Sequence, residues 1–133
     1  MNRFIQGILG AALLLLGTAI AQNTQSSQES YRYDASTQTT IKGVVLDVKE
    51  YQCPVSGTLG THITLKTDSG PIEVHLAPAK FVKLYEIEIK KGDTVAIQGS
   101  RITFEGKPSL LAKVVSIDNV TYAFRDNNGK PLW

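Results

Sequence analysis

Three side chains in this sequence could do chemistry beyond packing: Cys53, which is the only cysteine, and His62 and His75, which are the only histidines. One thiolate and two imidazoles form a donor set that suits zinc or copper. Such use requires neutral imidazoles and a thiol that has given up its proton. The spacing is not a short ligand motif, so tertiary structure has to assemble any such site. Other chemistry finds little footing. The carboxylates are scattered, Ser56 has no histidine at a readable spacing, and Gly57-Thr58-Leu59-Gly60 is too short for a phosphate loop and lacks its lysine. The expectation is a protein without catalytic residues.

Strands must position the two histidines. Apolar residues alternate with polar ones through Ile63 and Leu65 and again through Ile72, Val74 and Leu76, the period-2 pattern of half-buried strands. Asp68-Ser69-Gly70-Pro71 between them reads as a hairpin turn. His62 and His75 are out of phase with the apolar set and point to the face opposite the core. Two registers satisfy the parity. A two-residue loop sets His62 directly opposite His75, whereas a four-residue loop pairs Lys66 with Glu73 and leaves the histidines diagonal, about 7–8 Å apart. Cys53 falls in the loop entering the second strand, from which it can fold over the histidine face. An outer hairpin face is ordinarily solvated, and that is the alternative to a metal site.

The remaining elements follow in order. Ile41 to Tyr51 reads as a first strand with Val44, Leu46 and Val48 inward and Gly43 at a bend. Pro78 opens a short helix whose apolar stripe is Phe81, Leu84 and Tyr85. Asp93 starts a fourth strand with Val95 and Ile97 inward, and Gly99-Ser100 shifts the parity toward Ile102 and Phe104, as a bulge would. Leu110 to Ile117 is apolar on both faces and reads as a central strand, and Val120, Tyr122 and Phe124 form a last one. The predicted core is Val44, Leu46, Ile63, Leu65, Val74, Leu76, Val95, Ile97 and Val115, with Phe81 and Leu84 closing one end. Pro131-Leu132-Trp133 reads as an apolar tail plugging an open end.

This order predicts an all-β domain with little helix: a five-stranded OB-fold Greek-key barrel, a helix between strands three and four, and an appended C-terminal strand. Ile41-Lys42-Gly43-Val44-Val45 and Gly92-Asp93-Thr94-Val95 running to Gly99 resemble OB domains. The longer string from Thr61-His62-Ile63-Thr64-Leu65 through Val74-His75-Leu76-Ala77-Pro78 to Phe124-Arg125-Asp126 and Gly129-Lys130-Pro131-Leu132-Trp133 resembles small exported bacterial proteins of an uncharacterised family. That resemblance implies the fold and export and brings no activity with it.

The N-terminus reads as a targeting segment. Arg3, an apolar run from Ile8 to Leu16 and Ala19-Ile20-Ala21 match a secretory signal peptide, so residues 1–21 are expected to be removed, leaving no stable membrane span. Residues 22–39 are Gln/Ser/Thr-rich and read as a disordered polar leader, with Tyr31 and Tyr33 its only large apolar groups. Residues 40–133 form the OB-fold domain. An exported protein with one cysteine cannot staple itself, so closed sheet and core must stabilise it.

Without Arg3 the chain carries 13 Lys and Arg against 12 Asp and Glu. No single-sign surface calls for nucleic acid, and the outer hairpin face of His62, Thr64, Lys66, Glu73 and His75 has no aromatic platform for bases. The sequence therefore points first to a periplasmic or secreted, monomeric, non-catalytic binding module with no obligatory cofactor, recognising a protein, an envelope component or a small ligand. A zinc- or copper-binding or metal-stress protein using Cys53, His62 and His75 comes second. A single-stranded nucleic-acid binder comes third.

Overall fold

A computed structural model describes residues 31–133. The expected signal peptide and most of the polar leader lie outside the described residues. Asp34 caps a single 3-10 turn, Ala35–Thr37, by accepting from the Ser36 amide. Six strands and one helix follow: β1 Gln38–Cys53, β2 Thr58–Thr67, β3 Gly70–Pro78, α1 Ala79–Leu84, β4 Thr94–Phe104, β5 Lys107–Ile117 and β6 Val120–Ala123. Sheet order is β3-β2-β1-β4-β5-β6, and a parallel β3–β5 pairing joins the sheet back on itself. This is the OB-fold, with a short helix between β3 and β4 and one strand appended.

β1 is long enough to serve two partners. Residues Gln38 to Val44 pair with β4, and Val44 to Cys53 pair with β2. The strand must bend sharply at the hand-over, and Gly43 permits it: a Cβ there would run into the Lys66 carbonyl and the Leu65 side chain. A bulge between Val45 and Asp47 completes the bend. It also corrects the expected inward face. Val45 is buried, whereas Val44 and Leu46 are each 38% exposed. Strict alternation cannot anticipate a bulge, because the extra residue shifts the side-chain phase by one. Val48 returns opposite Ile63, but β4 has already left this part of β1, and Val48 stays 36% exposed.

The rest of the predicted core is in place. Ile63, Leu65, Val74, Leu76, Val95, Ile97 and Val115 are buried together, joined by Leu110, Ala112 and Phe124. The β4 parity shift occurs where Gly99-Ser100 suggested it, with a register irregularity between Gln98 and Gly99. Pro78 caps α1 and ends β3, and Ala79 is the first helical residue. Phe81 seals one end of the barrel, but Leu84 is 74% exposed. Six residues are too few to sustain an apolar stripe. The chain leaves the helix after Leu84, and Val82, Ile87 and Ile89 pack against the core in its place. Trp133 sits over Phe81, with ring centroids 5.7 Å apart. Tyr31 meets Phe104 edge-on at 5.5 Å, so part of the polar leader touches the domain.

Candidate metal centre

The hairpin decides the histidine geometry. Thr67 pairs with Gly70, which leaves a two-residue turn at Asp68-Ser69. Gly70 takes φ +103°, a conformation glycine adopts readily. Of the two registers that parity allows, this is the one that places His62 directly opposite His75. Their rings meet edge-on, 4.4 Å between centroids. Cys53 is the last residue of β1 rather than part of a loop, and a tight turn (Gly57 N–H to Cys53 carbonyl, 2.9 Å) carries the chain back into β2. That turn lays the thiol against the histidines. Cys53 Sγ is 3.6 Å from His75 Nδ1. One donor atom from each of Cys53, His62 and His75 can be chosen so that all lie within 4.8 Å of one another.

The histidine face is not solvated. Cys53, His62 and His75 are 2%, 2% and 5% exposed. Tyr51 stacks on the His62 ring at 3.9 Å, and Phe104 closes edge-on over His75 at 4.6 Å. Leu111 lies beside His75 because β3 pairs with β5 as well as with β2. The phase read from the sequence was therefore right, but closure of the sheet covers both of its faces here. A void of about 10 Å³, enough for one small occupant, lies between Cys53, Gly60, His62, His75 and Arg125. Gly60 keeps it open. A Cβ there would stand 3.0 Å from His62 Nε2 and 3.2 Å from the Cys53 Cβ.

Burial sets the protonation of the donors. Desolvation pushes the His62 pKa down to about 4, against the opposing pull of Glu73. Desolvation and the neighbouring His62 push His75 down to about 3. Both imidazoles are thus neutral at neutral pH, the form that binds metal. Burial raises the Cys53 pKa, so its proton has to be displaced by whatever binds there. The Nδ1 of His62 and the Nε2 of His75 are buried without a hydrogen-bond partner. Glu73 stands 3.3 Å from His62 Nδ1, and it accepts a hydrogen bond from the Tyr51 hydroxyl. A carboxylate there is suited to orienting a metal-bound imidazole from behind.

Reading the sequence missed two contributors. Tyr51 shares the strand face of Cys53 and pairs with Gly60, two residues from His62, so its parity was available. Arg125 gave no local signal. It is 8% exposed, donates to the Gly129 carbonyl at 2.9 Å, and stacks its guanidinium on Tyr33 and Trp133 at 5.7 and 5.1 Å. Gly129 and Trp133 follow closely in the chain, but Tyr33 comes from its far end, and the cage around the guanidinium forms only in the fold.

Solved structures similar to the chain include the second OB-fold domain of replication protein A from Methanococcus maripaludis, at 24% identity over 64% of this chain and 87% of that one, TM-score 0.45. An OBody bound to hen egg-white lysozyme is similar at 17% identity over 63% and 96%, TM-score 0.47. The N-terminal domain of PriB from Thermoanaerobacter tencongensis, a dimeric structure, is similar at 16% identity over 64% and 99%, TM-score 0.44. No curated protein matches the chain significantly in sequence. The family expected from the sequence was an uncharacterised one, and this is corrected by a match to a named family model across residues 37–122. By that match the chain belongs to the MamS/MamX magnetosome protein family.

Proposed function

We propose that this protein is a non-catalytic OB-fold binding module that holds one zinc or copper ion through Cys53, His62 and His75. The observation that carries the reading is the convergence of a buried thiol and two buried, neutral imidazoles to within 4.8 Å around a small void. The 3.6 Å between Cys53 Sγ and His75 Nδ1 suits shared ligation. A sulfur at about 2.3 Å and a nitrogen at about 2.0 Å from one tetrahedral ion are themselves about 3.5 Å apart. A Cys–His pair can also serve as a nucleophile, but that use needs a lowered thiol pKa beside a charged imidazole. Here both shifts run the other way.

Nucleic-acid binding through the β2–β3 face finds no support in this geometry, because Tyr51 stacks on His62 and His62 meets His75 edge-on, so these rings pack on one another rather than being offered to bases. Export to the periplasm or exterior is part of the proposal and rests on the signal-peptide pattern at residues 1–21. Elemental analysis of protein from its native compartment, followed by titration of the metal-free form, tests the reading. One equivalent of metal is expected for the wild type and for Thr64→Ala, with binding strongly weakened in His75→Ala. Equal and weak binding by all three would refute it.

A further inference from the structure

The wall of the void carries a charge as well as donors. Of the side chains lining it, only that of Arg125 is permanently ionised. It is 8% exposed, its Nε has no hydrogen-bond partner, and no salt bridge among the described residues neutralises it. Two aromatic rings, Tyr33 and Trp133, hold the guanidinium in place. The carboxylate of Glu73 lies at His62 Nδ1, the ring nitrogen opposite the Nε2 that faces Gly60. Glu105 is exposed, where solvent screens its field.

These charges distinguish between ions. A divalent ion bound by one thiolate and two neutral imidazoles keeps a net charge of +1, buried beside a second cation. A monovalent ion on the same ligands is neutral. Interaction between buried charges is weakly screened, so the difference weighs heavily.

Coordination number points the same way. Cys53, His62 and His75 are the only cluster of three such donors among the described residues. Glu73 is engaged by the Tyr51 hydroxyl and does not join the set. A closed zinc site takes four protein ligands and an open one adds a water to three, for which a void of about 10 Å³ leaves no room beside the ion, whereas Cu(I) is satisfied by one thiolate and two imidazoles. The flanking rings of Tyr51 and Phe104 make the surroundings apolar, which again favours an ion whose complex bears no charge.

Resting on the metal-binding reading above, we infer that the site is built for a monovalent soft ion, Cu(I), held three-coordinate by Cys53, His62 and His75, with Arg125 discriminating against divalent ions. Binding transfers the Cys53 proton to solvent and forms one Cu–S and two Cu–N bonds, with no change of oxidation state.

The test uses the purified protein, anaerobic and reduced, titrated separately with Cu(I) from a chromophoric chelator and with Zn(II). One equivalent of Cu(I) is expected, bound at least about 100-fold more tightly than Zn(II). X-ray absorption should show one sulfur and two nitrogen neighbours. Because thiolates favour Cu(I) in general, the deciding measurement is Arg125→Met. Removing the cation should raise Zn(II) affinity about tenfold and leave Cu(I) affinity within about threefold. If Arg125→Met does not fold, the wild-type coordination number decides. A four-coordinate Cu(I) centre, Zn(II) bound as tightly as Cu(I), or a Zn(II) affinity unmoved by Arg125→Met would overturn the inference while leaving a metal site. Failure to bind either ion would remove the metal reading itself.

Discussion

Lowering the pH should destabilise the metal-free protein steeply, and two residues should account for the slope. His62 and His75 are the only histidines in the chain, and burial holds them at about 4 and about 3. Once unfolded, each returns to about 6.5. The unfolded chain therefore binds more protons than the fold throughout the interval from about 6.5 down to about 3, and stability must fall as pH falls across it. At pH 5 an ordinary imidazole is almost wholly protonated, while one at about 4 or below is almost wholly neutral. The difference is worth about 2 kcal/mol per imidazole, or about 4 kcal/mol for the pair. This figure depends little on how far below 5 the folded values lie. It is a large part of the roughly 5–15 kcal/mol that stabilises a domain of this size. Few carboxylates titrate above pH 5, so the histidines can be read almost alone. Urea unfolding followed by fluorescence at pH 7.5, 6.5, 5.5 and 5.0, at fixed ionic strength with a chelator present, measures the loss. His75→Gln should show about half of it. Constant stability between pH 7.5 and 5 would mean that both imidazoles are solvated and that the buried site is wrong.

Further outcomes follow from the packing. Leu65→Ala should cost about 2–5 kcal/mol, since the side chain is wholly buried in the barrel core, and an unchanged melting temperature would contradict that placement. Val45→Ala should cost more than twice as much as Leu46→Ala, because the β1 bulge turns the first inward and the second outward; equal costs in denaturant melts would argue against the bulge. Leu84→Ser should stay within about 0.5 kcal/mol of the wild type, as expected for an exposed position. Gly60→Ala should weaken metal binding at least about tenfold with only a modest shift in melting temperature, because its Cβ would press on His62 Nε2; calorimetric titration showing full affinity would place the ion elsewhere.

The order of elements was legible in the chain because alternation and turn residues are local. Ile63, Leu65, Val74 and Leu76 declared their shared face, Asp68 to Pro71 declared the turn, and Gly99-Ser100 declared the irregularity in β4. The same parity placed His62 and His75 on one surface. Parity says which residues point together but not what lies over them. Burial of that surface came from the β3–β5 pairing, from Tyr51 and Phe104, and from the turn returning Cys53 against His75. The β1 bulge escaped for a related reason. A single inserted residue reverses the phase, and only the pairing of one strand with two partners requires it. The place of Arg125 at the site was not legible, since Tyr33 and the Cys53 void come together around it through contacts that no local pattern encodes. Residue type and spacing thus determined the strands and the candidate ligands, while closure of the sheet on itself decided that those ligands are buried, neutral and within reach of one ion.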